Sequence, residues 1–225
     1  MTAIRVCDVH YDYKNTAGVT HALCGVNAVF ESGKTYAITG RSGSGKTTLL
    51  SLLALFDKPS AGKILYAGEE ISNSDASEFR RKNIGVIFQS YNLIQHLSAL
   101  ENVMLAAQIT GADKNQRRRA AEEALKGVGL GEKYFSKRPQ QLSGGEQQRV
   151  AIARTIATRP KIILADEPTG NLDNQNSAVI ISILKKLSQE ENRCVIIVTH
   201  ADEIAEQADI RLDMSDGKIS SAEHR

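Results

Sequence analysis

Three short stretches of this chain carry residue types suited to handling phosphate. The first is Gly40-Arg41-Ser42-Gly43-Ser44-Gly45-Lys46-Thr47, which fits the phosphate-loop pattern G-x-x-x-x-G-K-[ST]. Its glycines let the backbone curl until several N–H groups converge on phosphate oxygens, and a helix starting there adds its partial positive end. Lys46 would neutralise β/γ charge, and Thr47 offers a hydroxyl to Mg²⁺. The second stretch, Lys161 to Glu167, is apolar and ends in two acids. Asp166 suits the shell of a nucleotide-bound metal, and Glu167 suits polarising or deprotonating an attacking water. The third, Leu142-Ser143-Gly144-Gly145-Glu146-Gln147-Gln148-Arg149, sets two glycines at a helix start capped by Ser143, a second place where an anion can meet backbone amides. One chain thus has two such helix starts but a single Lys-Thr pair and a single acidic pair.

Short apolar strands must present these stretches, because they alternate with longer amphipathic segments in the manner of an α/β fold with a largely parallel sheet. Strands are expected at Ile4 to Val9, at Ala22 to Phe30 (with Ala22, Cys24, Val26, Ala28 and Phe30 on one face), and at Thr35 to Thr39. Further strands are expected at Lys63 to Ala67, Ile84 to Phe88, Ile162 to Ala165 and Cys194 to Thr199. A buried helix is expected over Thr47 to Phe56. Capping boxes at Ser98/Glu101 and Ser143/Glu146 open two more helices, the second running to Thr158. Asp113 to Lys126 and about Asn176 to Glu190 read as helices, and residues 211–219 as a closing hairpin turning at Asp216-Gly217.

The chain has 225 residues, 41% of them hydrophobic and 24% charged, with a formal net charge of +2. That is enough for one sizeable domain, and it argues against a polycation that binds nucleic acid. Cys7, Cys24 and Cys194 are odd in number and widely spaced, so buried free thiols are expected. The most apolar stretch, Thr47 to Phe56, is far shorter than the roughly 20 residues of a membrane-spanning helix, and the first nine residues lack the pattern of a secretory signal. Arg117-Arg118-Arg119, with Glu122 and Glu123 close behind, reads as charge pairing on a solvated helix face, a lipid headgroup contact being the rival.

Leu142 to Arg149 resembles the signature sequence of the ABC ATPases, and the remaining family elements fall in order along almost the whole chain. Gln89 resembles the Q-loop glutamine, Asn171-Leu172-Asp173 the D-loop and His200 the switch histidine. Tyr13 resembles the aromatic that stacks on adenine, with Tyr11 as its neighbouring rival; Asp173 also suits a simple helix cap. The resemblance implies a RecA-like P-loop NTPase core with an N-terminal antiparallel β subdomain and an inserted α-helical subdomain. Core and β parts would cover about residues 1–88 and 159–225, and the helical part about 89–158.

The same resemblance implies ATP and Mg²⁺ as cofactors, with Thr47, Gln89 and Asp166 around the metal. Two subunits, homomeric by expectation, would pack head to tail. Gly40 to Thr48 of one would grip the triphosphate, and Ser143, Gly144, Gly145 and Glu146 of the other would close on it. Glu167, His200 and Lys46 would serve hydrolysis, and Asp173 would couple the two sites. The run Tyr91 to Leu97 would contact a membrane partner or fill the helical core. Thr169 to Asp173 and Tyr91-Asn92-Leu93 are similar to the lipoprotein-release, macrolide-export and cell-division ABC ATPases. That group implies a permease subunit of four-helix type, a place at the cytoplasmic membrane face through that partner, and export of a peptide, drug or lipid-like substrate. Mechanical or regulatory signalling without transport is the alternative.

Overall fold

A computed structural model describes residues 1–15, 18–71, 73–108 and 113–224. Two sheets divide the strands. The first is antiparallel in the order β2-β1-β4-β5, built from β1 (Thr2–Asn15), β2 (Gly18–Glu31), β4 (Ala61–Tyr66) and β5 (Glu69–Glu70). The second has the order β10-β9-β3-β8-β7-β6. It contains β3 (Thr35–Thr39), β6 (Ile84–Phe88), β7 (Ile162–Asp166), β8 (Cys194–Val198), β9 (Ile210–Ser215) and β10 (Lys218–His224). Its strands are parallel except β10, which returns antiparallel along β9.

Every residue of β3 and β8 is buried, as the unbroken apolar runs of a central parallel strand require. Alternate side chains serve opposite faces. Ile163 and Ala165 pack with the helices that follow β6, whereas Ile162 and Leu164 pack with the first helix and the antiparallel sheet.

The expected face of β2 is wrong in one half. Leu23 is fully buried, while Ala22, Cys24 and Ala28 are only partly so. Register shifts between Val6 and His10, with Gly25 at φ +79° and Asp8 at φ +47°, insert a bulge opposite, and a one-residue slip reverses the faces on one side of it. Both hairpin strands also run well beyond the expected ends.

The helices are α1 (Lys46–Leu53), α2 (Asn73–Asn83), α3 (Ala99–Ala107), α4 (Lys114–Gly127), α5 (Gly144–Ile156), α6 (Asn174–Gln189) and α7 (Asp202–Ala205). α1 stops short of Phe56: Leu55 turns left-handed at φ +57°, and Phe56 lies exposed under the Arg80 guanidinium. α2 was not anticipated, since its sequence is polar nearly all round. Phe79 is its apolar anchor, with ring centroid 5.0 Å from that of Tyr66. α3, α4 and α5 pack on one another between β6 and β7 around Val103, Ala121, Leu125 and Val150. Both expected capping boxes form, and Asp113/Gln116 makes a third, each cap being worth about 1 kcal/mol.

Among the thiols only Cys194 is buried, and burial pushes it up to about 12; Cys7 and Cys24, on the half-covered antiparallel sheet, are partly exposed. The basic run is paired as expected at Arg118–Glu122, 2.8 Å. Among the described residues no helix is long and apolar enough to cross a membrane.

Candidate functional site

Strand order decides what meets. β8 lies between β3 and β7, and Val198 at its end pairs with Ile38 on one side and Asp166 on the other. The chain therefore leaves all three strands at one edge of the sheet, the edge where open α/β sheets bind ligands. The loop 40–45, Asp166-Glu167 and His200 are brought together there despite the long stretches of sequence between them.

The loop after β3 needs its glycines. A Cβ on Gly40, at φ +151°, would stand 2.1 Å from the Met214 carbonyl oxygen; one on Gly45, at φ +104°, would stand 2.6 Å from that of Ala22. α1 begins with no side-chain cap and no acid in its first turn, so its leading amides and positive end stay available to an anion. Lys46 is buried, and its Nζ donates to the carbonyls of Gly40 (2.8 Å) and exposed Arg41 (2.9 Å), drawing the loop closed. Ser44 Oγ is buried without a hydrogen-bond partner among the described residues, a cost of about 1–3 kcal/mol that a polar ligand in the loop would relieve.

Asp166 is partly buried at the end of β7. Burial and the charge of Glu167 hold its carboxyl above the usual range, against the opposing pull of Lys46 and a hydrogen bond with Thr47. Glu167 sits at φ +47°, where a side chain costs about 1–3 kcal/mol. Its amide is held by the Val198 carbonyl at 2.9 Å, and its Oε1 lies 2.8 Å from His200 Nδ1. The carboxylate only accepts, so Nδ1–H donates, leaving the far edge of a mostly exposed imidazole open.

Lys46, Glu167 and His200 line one cavity of about 580 Å³, and Asp166 reaches it through its hydrogen bond with Thr47. Ser42, Gly43, Gly45, Lys46, Thr47 and Thr48 form its floor, and Glu167 and His200 one wall. Tyr13 is also part of the cavity wall, its hydroxyl 3.2 Å from Thr48 Oγ1. Tyr11 does not: it packs edge-on to Tyr13, and a hydrogen bond to Asp57 raises its phenol to about 12. Sequence reading missed Thr20, His21 and Ala22 in that wall. The signal lay in hairpin pairing, since Thr20 stands opposite Tyr13 and His21 opposite Asp12.

The other expected residues gather elsewhere. Gln89 leaves β6 at the same edge but donates to Asn171 Oδ1 (3.3 Å), against Gly170, and does not line the cavity. Asp173 caps α6, accepting from Asn176 N at 2.8 Å and Asn176 Nδ2 at 2.7 Å, contacts that hold its carboxyl below the usual range. Ser143, Gly144, Gly145 and Glu146 form the start of α5, where Gly145 packs on Asn176 and Gly144 beside Leu172. None of these four lines the cavity that holds Lys46. For Glu146, burial pushes the carboxyl up, but hydrogen bonds from Ser143 and Tyr134 outweigh it and leave it low. Gln148, fully buried, ties α5 to the Pro168 carbonyl at 2.7 Å.

Residues 23–170 match the family model described as ABC transporter. The lipoprotein-releasing system ATP-binding protein LolD of Shewanella sp. (strain MR-7) is 40% identical over 225 residues, covering 98% of this chain and 97% of that protein. The macrolide export ATP-binding/permease protein MacB of Brucella melitensis biotype 1 is 41% identical over 97% of this chain but 34% of its own length. A solved dimeric structure of a post-hydrolysis state of the ATP-binding cassette MJ0796, bound to ADP and Pi, superposes with TM-score 0.90 at 37% identity, covering 98% of each chain.

Proposed function

We propose that this chain, which belongs to the ABC transporter family, is an ATP-hydrolysing subunit working as half of a head-to-tail dimer that drives a membrane permease. The observation that carries the reading is the convergence of Lys46, Glu167 and His200 on one cavity at the edge of β3, β8 and β7, with Asp166 hydrogen-bonded to Thr47 of its lining. The unsatisfied Ser44 hydroxyl and the uncapped start of α1 fit an anionic ligand there.

In this reading, Lys46 and the amides of residues 42–48 hold the triphosphate and offset its charge. Thr47 and Asp166, already hydrogen-bonded to each other, are the pair that would hold Mg²⁺, with Gln89 approaching from β6. When bound, the ion supplies Lewis-acid neutralisation of the phosphate oxygens. Glu167 accepts a proton from the attacking water, and His200, oriented by Glu167 through Nδ1–H, turns Nε2 toward the γ-phosphate, to which it donates when both ring nitrogens carry protons. The strained backbone of Glu167 is a cost that positioning at this site explains.

The start of α5 does not line its own chain's cavity, which supports its use across a dimer. Ser143 to Glu146 of a second copy would complete the pocket, and Asp173 would lie at the seam. The γ-phosphate would then be the bridge that ADP lacks, so ATP binds the closed dimer better than the open one and shifts the equilibrium toward it. We treat the chain as one ABC ATPase unit, with core and β parts at about 1–88 and 159–225 and a helical part at about 89–158.

Two side chains of the run Tyr91 to Leu97 differ in their surroundings. Leu93 is buried in the helical core, while Ile94 lines a groove of about 480 Å³ with Leu105, Arg80, Arg81 and Arg154. Leu105 is 46% exposed there. We assign this groove to the permease, of four-helix type, which would hold the chain at the cytoplasmic face of a membrane. The lipoprotein-release and macrolide-export names of the relatives support extrusion of a peptide, drug or lipid-like substrate.

The test is co-purification from its own cells with a membrane subunit, followed by ATPase assay in lipid with candidate substrates. Stimulation by a peptide, drug or lipid supports export. Stimulation by the permease alone, insensitive to every such substrate, would favour mechanical signalling instead.

A further inference from the structure

Arg211 and Asp213 have no part in the reading above, yet their side chains join two segments of the site that leave the sheet from different strands. We propose that Arg211 is a positioning residue for hydrolysis, which with Asp213 fixes the segment bearing His200 to the root of the phosphate loop. This inference rests on the reading of His200 and that loop as parts of one ATPase site, and deepens it.

β3 and β9 run side by side in parallel, with Ala37 opposite Arg211 and Thr39 opposite Asp213. Tyr36, Ile38, Ile210 and Leu212 serve the core shared with α1 and the antiparallel sheet. Alternation turns Ala37, Thr39, Arg211 and Asp213 to the other face, where Ala205 of α7 and Ala208 pack on Ala37. A run of contacts crosses that face. The buried Thr39 hydroxyl donates to Asp213 Oδ1. Arg211 Nε donates to the same oxygen at 3.0 Å, and Arg211 Nη2 lies 3.0 Å from Asp202 Oδ1.

Both ends of that run bear on the site. Thr39 directly precedes Gly40, which packs on the Met214 carbonyl, and the Gly217 amide donates to the Ser44 carbonyl at 3.1 Å. β9 and the turn after it therefore brace the phosphate loop. At the other end, Asp202 opens α7 just beyond His200. The His200 ring meets Glu167 but is mostly exposed, so its place depends on the backbone to either side. Before it, the Thr199 amide is held by the Ile38 carbonyl at 3.1 Å. After it, Asp202 is held by Arg211. Asp202 is 73% exposed, and an ion pair of this kind contributes little to stability. Its consequence is geometric: His200 stands between two anchored points, one on β3 and one on β9.

Arg211→Ala and Asp202→Ala break this link from opposite ends. Each is expected to lower kcat for ATP hydrolysis by the full chain about tenfold, since a 1 Å misplacement can cost about 10²-fold. ADP affinity in calorimetry should stay within about twofold, because Lys46 and the amides of α1 lie outside the link. The double variant should be no slower than either single one. In a His200→Ala background Arg211→Ala should cost less than about twofold more, as groups acting as a unit do. Asp202→Asn, whose amide oxygen still accepts from Nη2, should recover part of the rate. Imidazole nitrogen NMR reads the link without turnover. The Nδ1–H form of His200 should be fixed in the unmodified chain and exchange between tautomers in Arg211→Ala, with His10, His21 and His96 unaltered.

An unchanged kcat or an unaltered His200 signal in Arg211→Ala overturns the inference. So does a loss that multiplies fully with that of His200→Ala, the mark of a merely structural role. Normal hydrolysis by His200→Ala would instead strike the role given to His200 in the underlying reading, and failure of the unmodified chain to bind ADP would strike the nucleotide site itself.

Discussion

Replacing Glu167 by glutamine tests the hydrolytic assignment with the least disturbance of structure. The amide oxygen of glutamine can still accept from His200 Nδ1, the 2.8 Å contact that orients the ring. The left-handed backbone at residue 167 is no harder for glutamine than for glutamate, so the strain and the fold persist. What disappears is the proton acceptor. A positioned general base is worth about 10²- to 10⁴-fold, or roughly 2.7–5.4 kcal/mol in the barrier. The loss of charge also relieves Asp166, whose carboxyl is held high partly by Glu167, so the Mg²⁺ pair should not be weakened. Glu167→Gln is therefore expected to bind ATP with unreduced affinity, to release phosphate about 10²–10⁴ times more slowly, and to accumulate as an ATP-dependent dimer in size-exclusion chromatography. Turnover within about threefold of the unmodified chain would refute the reasoning, being far below the effect of removing a general base. Loss of ATP affinity in proportion to the loss of rate would also refute it, because Glu167 would then be holding the ligand.

Three further outcomes follow from the same geometry. Lys46→Ala should weaken both ATP and ADP by at least tenfold in calorimetry, since it removes the buried cation that closes the loop; unchanged affinity would contradict the phosphate-loop assignment. Asp166 has a folded-state carboxyl raised chiefly by burial, so the ligand-free chain should gain stability from this group as pH falls through that raised value and lose it as pH rises. Asp166→Asn should flatten that dependence and raise the ligand-free Tm, each 1 kcal/mol of relief being worth about 2–4 °C, while abolishing Mg²⁺-dependent hydrolysis; an unchanged or lower Tm would refute the burial cost. Leu105→Glu places a charge in the groove assigned to the permease and should sharply reduce permease stimulation of hydrolysis; undiminished stimulation would move the contact elsewhere.

The parts of the fold that were legible share a physical basis: local rules decide them. β3 and β6 fall where their apolar runs and flanking breakers put them, and Ser98/Glu101 and Ser143/Glu146 close as capping boxes because their partners are only three residues apart. The reading failed where a distant neighbour decides. The inward face at Leu23 depends on a bulge across the hairpin. α2 is helical with little amphipathic pattern of its own, anchored by Phe79 on Tyr66. The end of α1 is set by a left-handed turn at Leu55 that no glycine announces.

The site divides in the same way. Residue type and spacing were enough to set the glycine loop at the start of α1, the acidic pair at the end of β7 and the second glycine turn at the start of α5, because each depends on its own backbone and its immediate neighbours. Only tertiary structure could choose Tyr13 over Tyr11 for the cavity, add Thr20 and His21 to its wall, tie Gln89 to Asn171, and leave Ser143 outside its own chain's pocket. Those outcomes depend on β8 lying between β3 and β7 and on the register of one hairpin. Strand neighbours are selected by burial of whole faces, and that selection is invisible in any local stretch of sequence.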